Sequence, residues 1–174
     1  MRQIKIEKIT LNIGSGGPGD KLEKALKLLK KVADMTPVKT KTKKRIPTWG
    51  IRPNLEIGAK VTIRGKKAED LLKRLLVAKK NKLSKRKFDK FGNLSFGVEE
   101  YISIPGVEYD STIGIIGFEC AVSLKRNGYR IARRRVMTHP IPNGHRITQE
   151  ESMQYMKEKF NVIITEVEND HKQL

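Results

Sequence analysis

A single cysteine, Cys120, serves the whole chain, so no internal disulfide can form and a reducing, intracellular setting is expected. Histidine is scarce as well: His139, His145 and His171 do not have the spacing of a structural zinc site, with or without the lone thiol. No metal or other cofactor is expected. Aromatic residues make up 6% of the sequence, which leaves a core to Ile, Leu and Val. Long apolar runs are missing. The longest uncharged stretch, Ile9 to Gly19, is glycine-rich and far short of the ~20 apolar residues of a membrane span. Arg2, Lys5, Glu7 and Lys8 interrupt the first ten residues, so these do not read as a signal peptide. A soluble, cytoplasmic protein with no membrane partner is expected.

Acidic residues are also few, and their shortage is uneven. Residues 1–90 hold 27 Lys/Arg against 8 Asp/Glu, net +19, whereas residues 91–174 hold 10 against 11, net −1. A basic excess confined to half a chain presents a basic surface, and the usual partner of such a surface is a polyanion. The length suits a single domain over 1–174, with a basic part (1–90) and a near-neutral part (91–174) that completes the sheet and is left to meet protein.

Periodicity predicts the elements. Ile9, Leu11 and Ile13 alternate with Lys8, Thr10 and Asn12 in a strand over Ile4–Ile13. A glycine-rich turn follows, then a helix capped by Asp20 with Glu23 as its box partner. That helix carries an apolar stripe of Leu22, Ala25, Leu26, Leu29, Val32 and Ala33, and Thr36-Pro37 ends it. Val38–Arg45 reads as extended and basic, Ala59–Arg64 as a strand, Lys66–Ala78 as a helix, and Leu94–Ile104 as a broken strand. Phe118 to Leu124 alternates up to Asn127-Gly128, a hairpin signal that makes Tyr129–Val136 the returning strand. Thr148 and Glu151 form a second capping box ahead of a helix. A short strand, Val162–Thr165, precedes an acidic tail from Glu166. The fold class is α+β: an antiparallel sheet with helices packed on one face and the other face open.

Enzymatic sites find little support. Gly14-x-Gly16-x-x-Gly19 follows a strand and opens a helix, the setting of a dinucleotide fingerprint. Yet Asp34, at about the right distance for the ribose, ends the helix rather than a second strand, and Pro18 removes an N–H donor. Asp20-Lys21 also replaces the Lys-Ser/Thr pair of a phosphate loop. A tight strand-to-helix turn explains these glycines better. No Gly-x-Ser-x-Gly elbow occurs, Glu99 and Glu100 point to opposite faces if extended, and Cys120 shares an apolar strand face with Phe118 and Val122.

The basic segments carry the functional signal. Lys39, Lys41, Lys43, Lys44 and Arg45 place five cations within seven residues. One reading is an edge strand guarded by lysine. The other is an RNA contact, because the next loop sets Trp49 beside Arg52 between two prolines, a frame suited to backbone contact and stacking on exposed bases. Lys79, Lys80, Lys82, Lys85, Arg86, Lys87 and Lys90 form a second cluster, either a solvated helix end or a further contact. The polar faces of the two clearest strands present Lys8, Thr10, Asn12 and Lys60, Thr62, Arg64. Cations, hydroxyls and an amide on one rigid face can reach phosphates and 2′-hydroxyls, which favours structured RNA.

Several ordered blocks then resemble a known family. They are Ile6-Glu7-Lys8-Ile9-Thr10-Leu11-Asn12, the run from Ile57 to Gly65, Phe88-Asp89-Lys90-Phe91-Gly92-Asn93, Ser95-Phe96-Gly97-Val98, and Ile104-Pro105 with Tyr109-Asp110. Together they resemble the universal large-subunit ribosomal protein five family, which binds 5S rRNA, in its archaeal and eukaryotic form. The chain departs from bacterial members in lacking their leading helix and in its longer Arg-rich hairpin and C-terminal helix. The resemblance implies a non-enzymatic ribosomal role in the central protuberance, with 5S rRNA and large-subunit rRNA as partners. It implies 5S contacts at Asn12, Thr40, Lys41, Thr62 and Arg64, to which the polar-face reading adds Lys60. The loop from Lys43 to Pro53, with Lys44, Arg45, Trp49 and Arg52, would approach peptidyl-site tRNA. The segment Tyr109, Asp110 to Gly114 would face small-subunit ribosomal protein thirteen.

Overall fold

The computed structural model describes residues 1–165; the acidic tail from Glu166, with His171, lies outside them. Among the described residues three helices and seven strands form, in the order β1 (Ile4–Gly14), α1 (Asp20–Ala33), β2 (Val38–Lys41), β3 (Glu56–Ile63), α2 (Lys66–Ala78), β4 (Lys82–Ser84), β5 (Leu94–Val98), β6 (Phe118–Arg126), α3 (Gln149–Phe160) and β7 (Ile163–Thr165). Five strands make an antiparallel sheet of order β2-β3-β1-β6-β5, and β4 and β7 pair in parallel as a separate ribbon. The chain therefore has the expected α+β class. The described residues divide into two compact units, one of residues 1–8, 64–96 and 121–165, the other of residues 9–63 and 97–120.

In the second unit the alternation read from the sequence becomes a layer. Ile9, Leu11 and Ile13 on β1 and Ala59, Val61 and Ile63 on β3 are buried, and α1 packs on β3 with Leu22, Ala25, Leu28, Leu29 and Val32 inward. Leu28 takes the inward place expected of Leu26, which is only half-buried. Gly19, not Asp20, caps α1: its φ of 126° suits glycine alone, and its carbonyl accepts from the N–H groups of Leu22 and Glu23. No side chain caps this helix; Asp20 and Glu23 instead place negative charge in its first turn. The helix closes at Ala33, ahead of Thr36-Pro37, with Asp34 in the left-handed conformation.

In the first unit a buried arginine pairs with a half-exposed carboxylate. Arg126, 4% exposed, donates to Glu151 Oε1 at 2.6 Å and to the carbonyls of His145 and Arg146 at 3.3 and 3.4 Å. Glu151 also completes the expected capping box with Thr148. The Thr148 N–H, then Arg126, hold its carboxyl below the usual 4.5. A depressed folded-state value means stability that is present at neutral pH and lost as pH falls through the acid range. Glu151→Gln is therefore expected to cost about 1–3 kcal/mol at pH 7, and less as the pH is lowered toward 3 and the wild-type carboxyl takes up protons. Urea unfolding at the two pH values measures this; a difference that does not shrink in acid would contradict it.

The hairpin after β6 does not form. Gly128 is left-handed at φ 97°, but Asn127 is not among the positive-φ residues, so the two-residue turn is incomplete. Tyr129–Ala132 is a 3₁₀ turn rather than a returning strand. The Tyr129 hydroxyl donates to the His145 carbonyl and accepts from the Ile147 N–H, which draws the chain away from β6. The broken strand of residues 94–104 is likewise only β5 followed by a 3₁₀ turn at Tyr101–Ser103.

Candidate nucleic-acid interface

The register of three strands assembles a polar face within the unit that contains α1. Thr10 lies opposite Thr62, Asn12 opposite Lys60, and Lys60 opposite Val38 on the next strand. One step along, Gly14, Gly58 and Thr40 align. These residues alternate with the buried ones, so they occupy the face away from α1. Thr10, Asn12, Thr40 and Thr62 are half-exposed and Lys60 is exposed. The result is three hydroxyls and an amide around one cation.

Gly58 makes the face compact. A side-chain carbon there would sit 2.6 Å from the Ile13 carbonyl oxygen and 3.0 Å from Thr40 Oγ1. Only glycine lets Thr40 close over β3, and sequence reasoning missed this position. Exposed Val38 was missed too, because its register is set by a pairing that no local pattern reveals. Lys8 and Arg64 fall in the other unit, and the β1–β3 register does not include them.

The lysine cluster divides in two. β2 is indeed an edge strand, and Lys39 pairs with Glu56 at 2.8 Å while Lys41 lies 4.0 Å from the same carboxylate. Hydrogen bonding to Lys39 lowers the Glu56 carboxyl and raises the Lys39 amine. Lys43, Lys44 and Arg45 are exposed on the loop beyond, with no carboxylate partner among the described residues.

That loop is built, not slack. Thr42 exchanges backbone bonds with Asn54 and Leu55 and its hydroxyl donates to the Arg52 carbonyl. Farther out, Ile46 and Ile51 form a bridge around a 3₁₀ turn at Pro47–Trp49 that left-handed Gly50 closes. Buried Ile51 anchors the tip, where Trp49 stands 74% exposed, and Arg52 is exposed on the returning limb. An indole at the end of a braced arm with three exposed cations at its root is a stacking device beside a backbone-binding one.

In the segment 107–117, Asp110 is occupied internally. Its carboxylate accepts from the Thr112 N–H and hydroxyl, which hold it below its usual value, and its own N–H donates to the Tyr101 hydroxyl. Gly114 is left-handed and donates to the Asp110 carbonyl. Asp110 and Gly114 thus shape the turn, and Tyr109 and Ile115 are its exposed apolar residues.

The glycine turn cannot serve as a phosphate cradle in this arrangement. The N–H groups of Ser15 and Gly16 both donate to the Ile57 carbonyl, and the strand beside β1 is antiparallel β3. Cys120 is buried, which pushes its thiol far above the ordinary range and leaves it unreactive. Among the described residues no cluster of His, Cys, Asp or Glu can hold a metal ion, and no helix is long and apolar enough to cross a membrane.

The family described as Ribosomal protein L5 matches residues 1–52, and the family of the C-terminal part of the same ribosomal proteins matches residues 56–155. The large ribosomal subunit protein uL5 of Nanoarchaeum equitans is 48% identical over 94% of this chain and 97% of its own length. Those of Sulfurisphaera tokodaii and Methanosphaera stadtmanae are each 45% identical, over 95% and 94% of this chain and 94% and 98% of theirs. The chain belongs to the L5 family of large-subunit ribosomal proteins, whose role is structural and not enzymatic.

Proposed function

We propose that the chain binds 5S rRNA on the face formed by Thr10, Asn12, Thr40, Lys60 and Thr62 and anchors it in the central protuberance of the large subunit. Lys41 adds a cation to this set, and Arg64, in the other unit, makes a contact of its own. The braced loop from Lys43 to Pro53 approaches peptidyl-site tRNA, with Trp49 foremost, and Tyr109 at the 109–114 turn faces small-subunit ribosomal protein thirteen. The observation that carries this reading is the register of β1, β3 and β2, which gathers hydroxyls, an amide and a cation opposite the helix-covered side. Short hydroxyl and amide side chains on a rigid sheet suit ribose and phosphate oxygens, the groups through which folded RNA is held.

The test is a salt titration of the protein on 5S rRNA with tRNA as competitor. Binding is expected to favour 5S rRNA and to weaken linearly on a log–log plot, by roughly 0.7–0.9 in slope for each phosphate neutralised. Binding indifferent to salt, or displaced equally well by tRNA, would sink the proposal.

A further inference from the structure

The near-neutral half of the chain contains its own basic, aromatic cleft, and it surrounds a motif that the sheet face leaves unused. In Phe88-Asp89-Lys90-Phe91-Gly92-Asn93, Asp89 acts as the frame of a turn. Its carboxylate accepts from the N–H groups of Phe91 and Asn93 at 2.8 Å and from the Asn93 side-chain amide at 2.9 Å. Gly92 is left-handed and packed on Ile147, and its carbonyl accepts from the buried Ser152 hydroxyl at 2.8 Å. Everything around Phe91 is fixed, yet Phe91 itself is 59% exposed. A rigid turn that holds a phenyl ring in water is not explained by core packing.

Beside the ring opens a cleft of about 460 Å³, lined on its apolar side by Phe91, Tyr129, Pro140 and Ile141 and on its charged side by Arg133 and Arg146. The Arg146 guanidinium lies over the Phe91 ring at 5.9 Å from its centre, and its Nε donates to the Ile141 carbonyl. Arg126 and Tyr129 hold the backbone of residues 145–147 in place from the other side. Glu7, the acidic residue lining the cleft, is already paired with Arg133. Lys8 joins the lining, and Arg130, Arg134 and Arg135 are exposed on the adjoining loop.

We infer that this cleft is a second RNA site, one that takes an unstacked nucleobase from a single-stranded stretch of rRNA. The base stacks on Phe91 and the Arg146 plane, and the flanking phosphates lie against the loop arginines. A cleft with an aromatic wall, a cationic rim and its one carboxylate already paired matches the faces of a nucleotide, aromatic in the middle and anionic at the edge. The inference goes beyond the sheet-face proposal and does not depend on it, because every residue involved lies in the other unit.

The full-length protein is titrated against a short single-stranded oligoribonucleotide carrying one 2-aminopurine. The wild type and Phe91→Tyr are expected to quench its fluorescence. Phe91→Ala and Phe91→Leu are expected to lose the quench and roughly 5–100-fold in affinity, with the salt slope unchanged because no phosphate contact is removed. Arg146→Ala is expected to lose affinity and quench together, and Arg135→Ala, exposed on the loop, to lose affinity and salt slope while the quench is kept. Because Phe91 is exposed, its variants should unfold at the wild-type temperature, measured alongside. Equal quenching by wild type, Phe91→Ala and Phe91→Leu would overturn the inference, as would equal competition by a duplex of the same length.

Discussion

Lys60→Glu is expected to weaken 5S rRNA binding by two orders of magnitude or more while leaving the fold intact. Lys60 stands exposed at the centre of the polar face, with Asn12 beside it on one strand and Val38 on the other. A hydrogen bond to a charged group contributes about 1.5–3 kcal/mol, or roughly 10–100-fold, and the substituted carboxylate adds repulsion to that loss. The salt slope should fall by about 0.7–0.9, the signature of one phosphate contact removed. Stability should move by less than about 0.5 kcal/mol, since Lys60 is an exposed surface residue. The informative control is Lys24→Glu on the exposed side of α1, which changes the net charge by the same amount. With screening over about 10 Å at 0.1 M salt, that change should matter far less. Equal losses for the two variants would mean that only overall charge is being read.

The second large effect is on folding. Gly92→Val is expected to destabilise the protein by about 3 kcal/mol or more. Gly92 sits at φ 76°, where a β-branched residue is a steric outlier and an L-residue is disfavoured by about 1–2 kcal/mol. A side-chain carbon there would lie 2.5 Å from Ile147 Cγ2 and 3.0 Å from Ile147 Cβ. Those atoms are close to the backbone of a buried residue, so they cannot swing aside, and overpacking of this kind costs about 1–3 kcal/mol. The midpoint of urea unfolding should fall with little change in slope. A midpoint within error of wild type would show that the turn does not need glycine.

The first of these effects was legible in the sequence and the second was not, because the contact of Gly92 with Ile147 joins distant residues. The alternation of Ile9, Leu11 and Ile13 with Thr10 and Asn12, and of Val61 and Ile63 with Lys60 and Thr62, marked the polar face because strand burial has a period of two. Thr148 and Glu151 marked α3 because a capping box is written within four residues. What failed was whatever depends on distant partners. The parallel pairing of Lys82–Ser84 with Ile163–Thr165 joins two three-residue strands some eighty positions apart. The hairpin expected after Asn127-Gly128 was defeated by the hydrogen bonds of Tyr129 to residues 145 and 147, a contact that propensity cannot foresee. The Lys39–Arg45 cluster read as one patch, and only the register shows that its first two lysines share the Glu56 carboxylate. The near-zero charge of residues 91–174 likewise concealed the arginines around Phe91, because a sum over half a chain says nothing about where its charges gather.

The most direct measurement is lysine acylation footprinting of the protein alone and bound to 5S rRNA. Lys60 and Lys41 should be protected in the complex, while Lys24 and Lys27, exposed on α1, should keep their reactivity. The reverse pattern, with α1 protected and Lys60 still reactive, would place the RNA on the helix side and contradict the account.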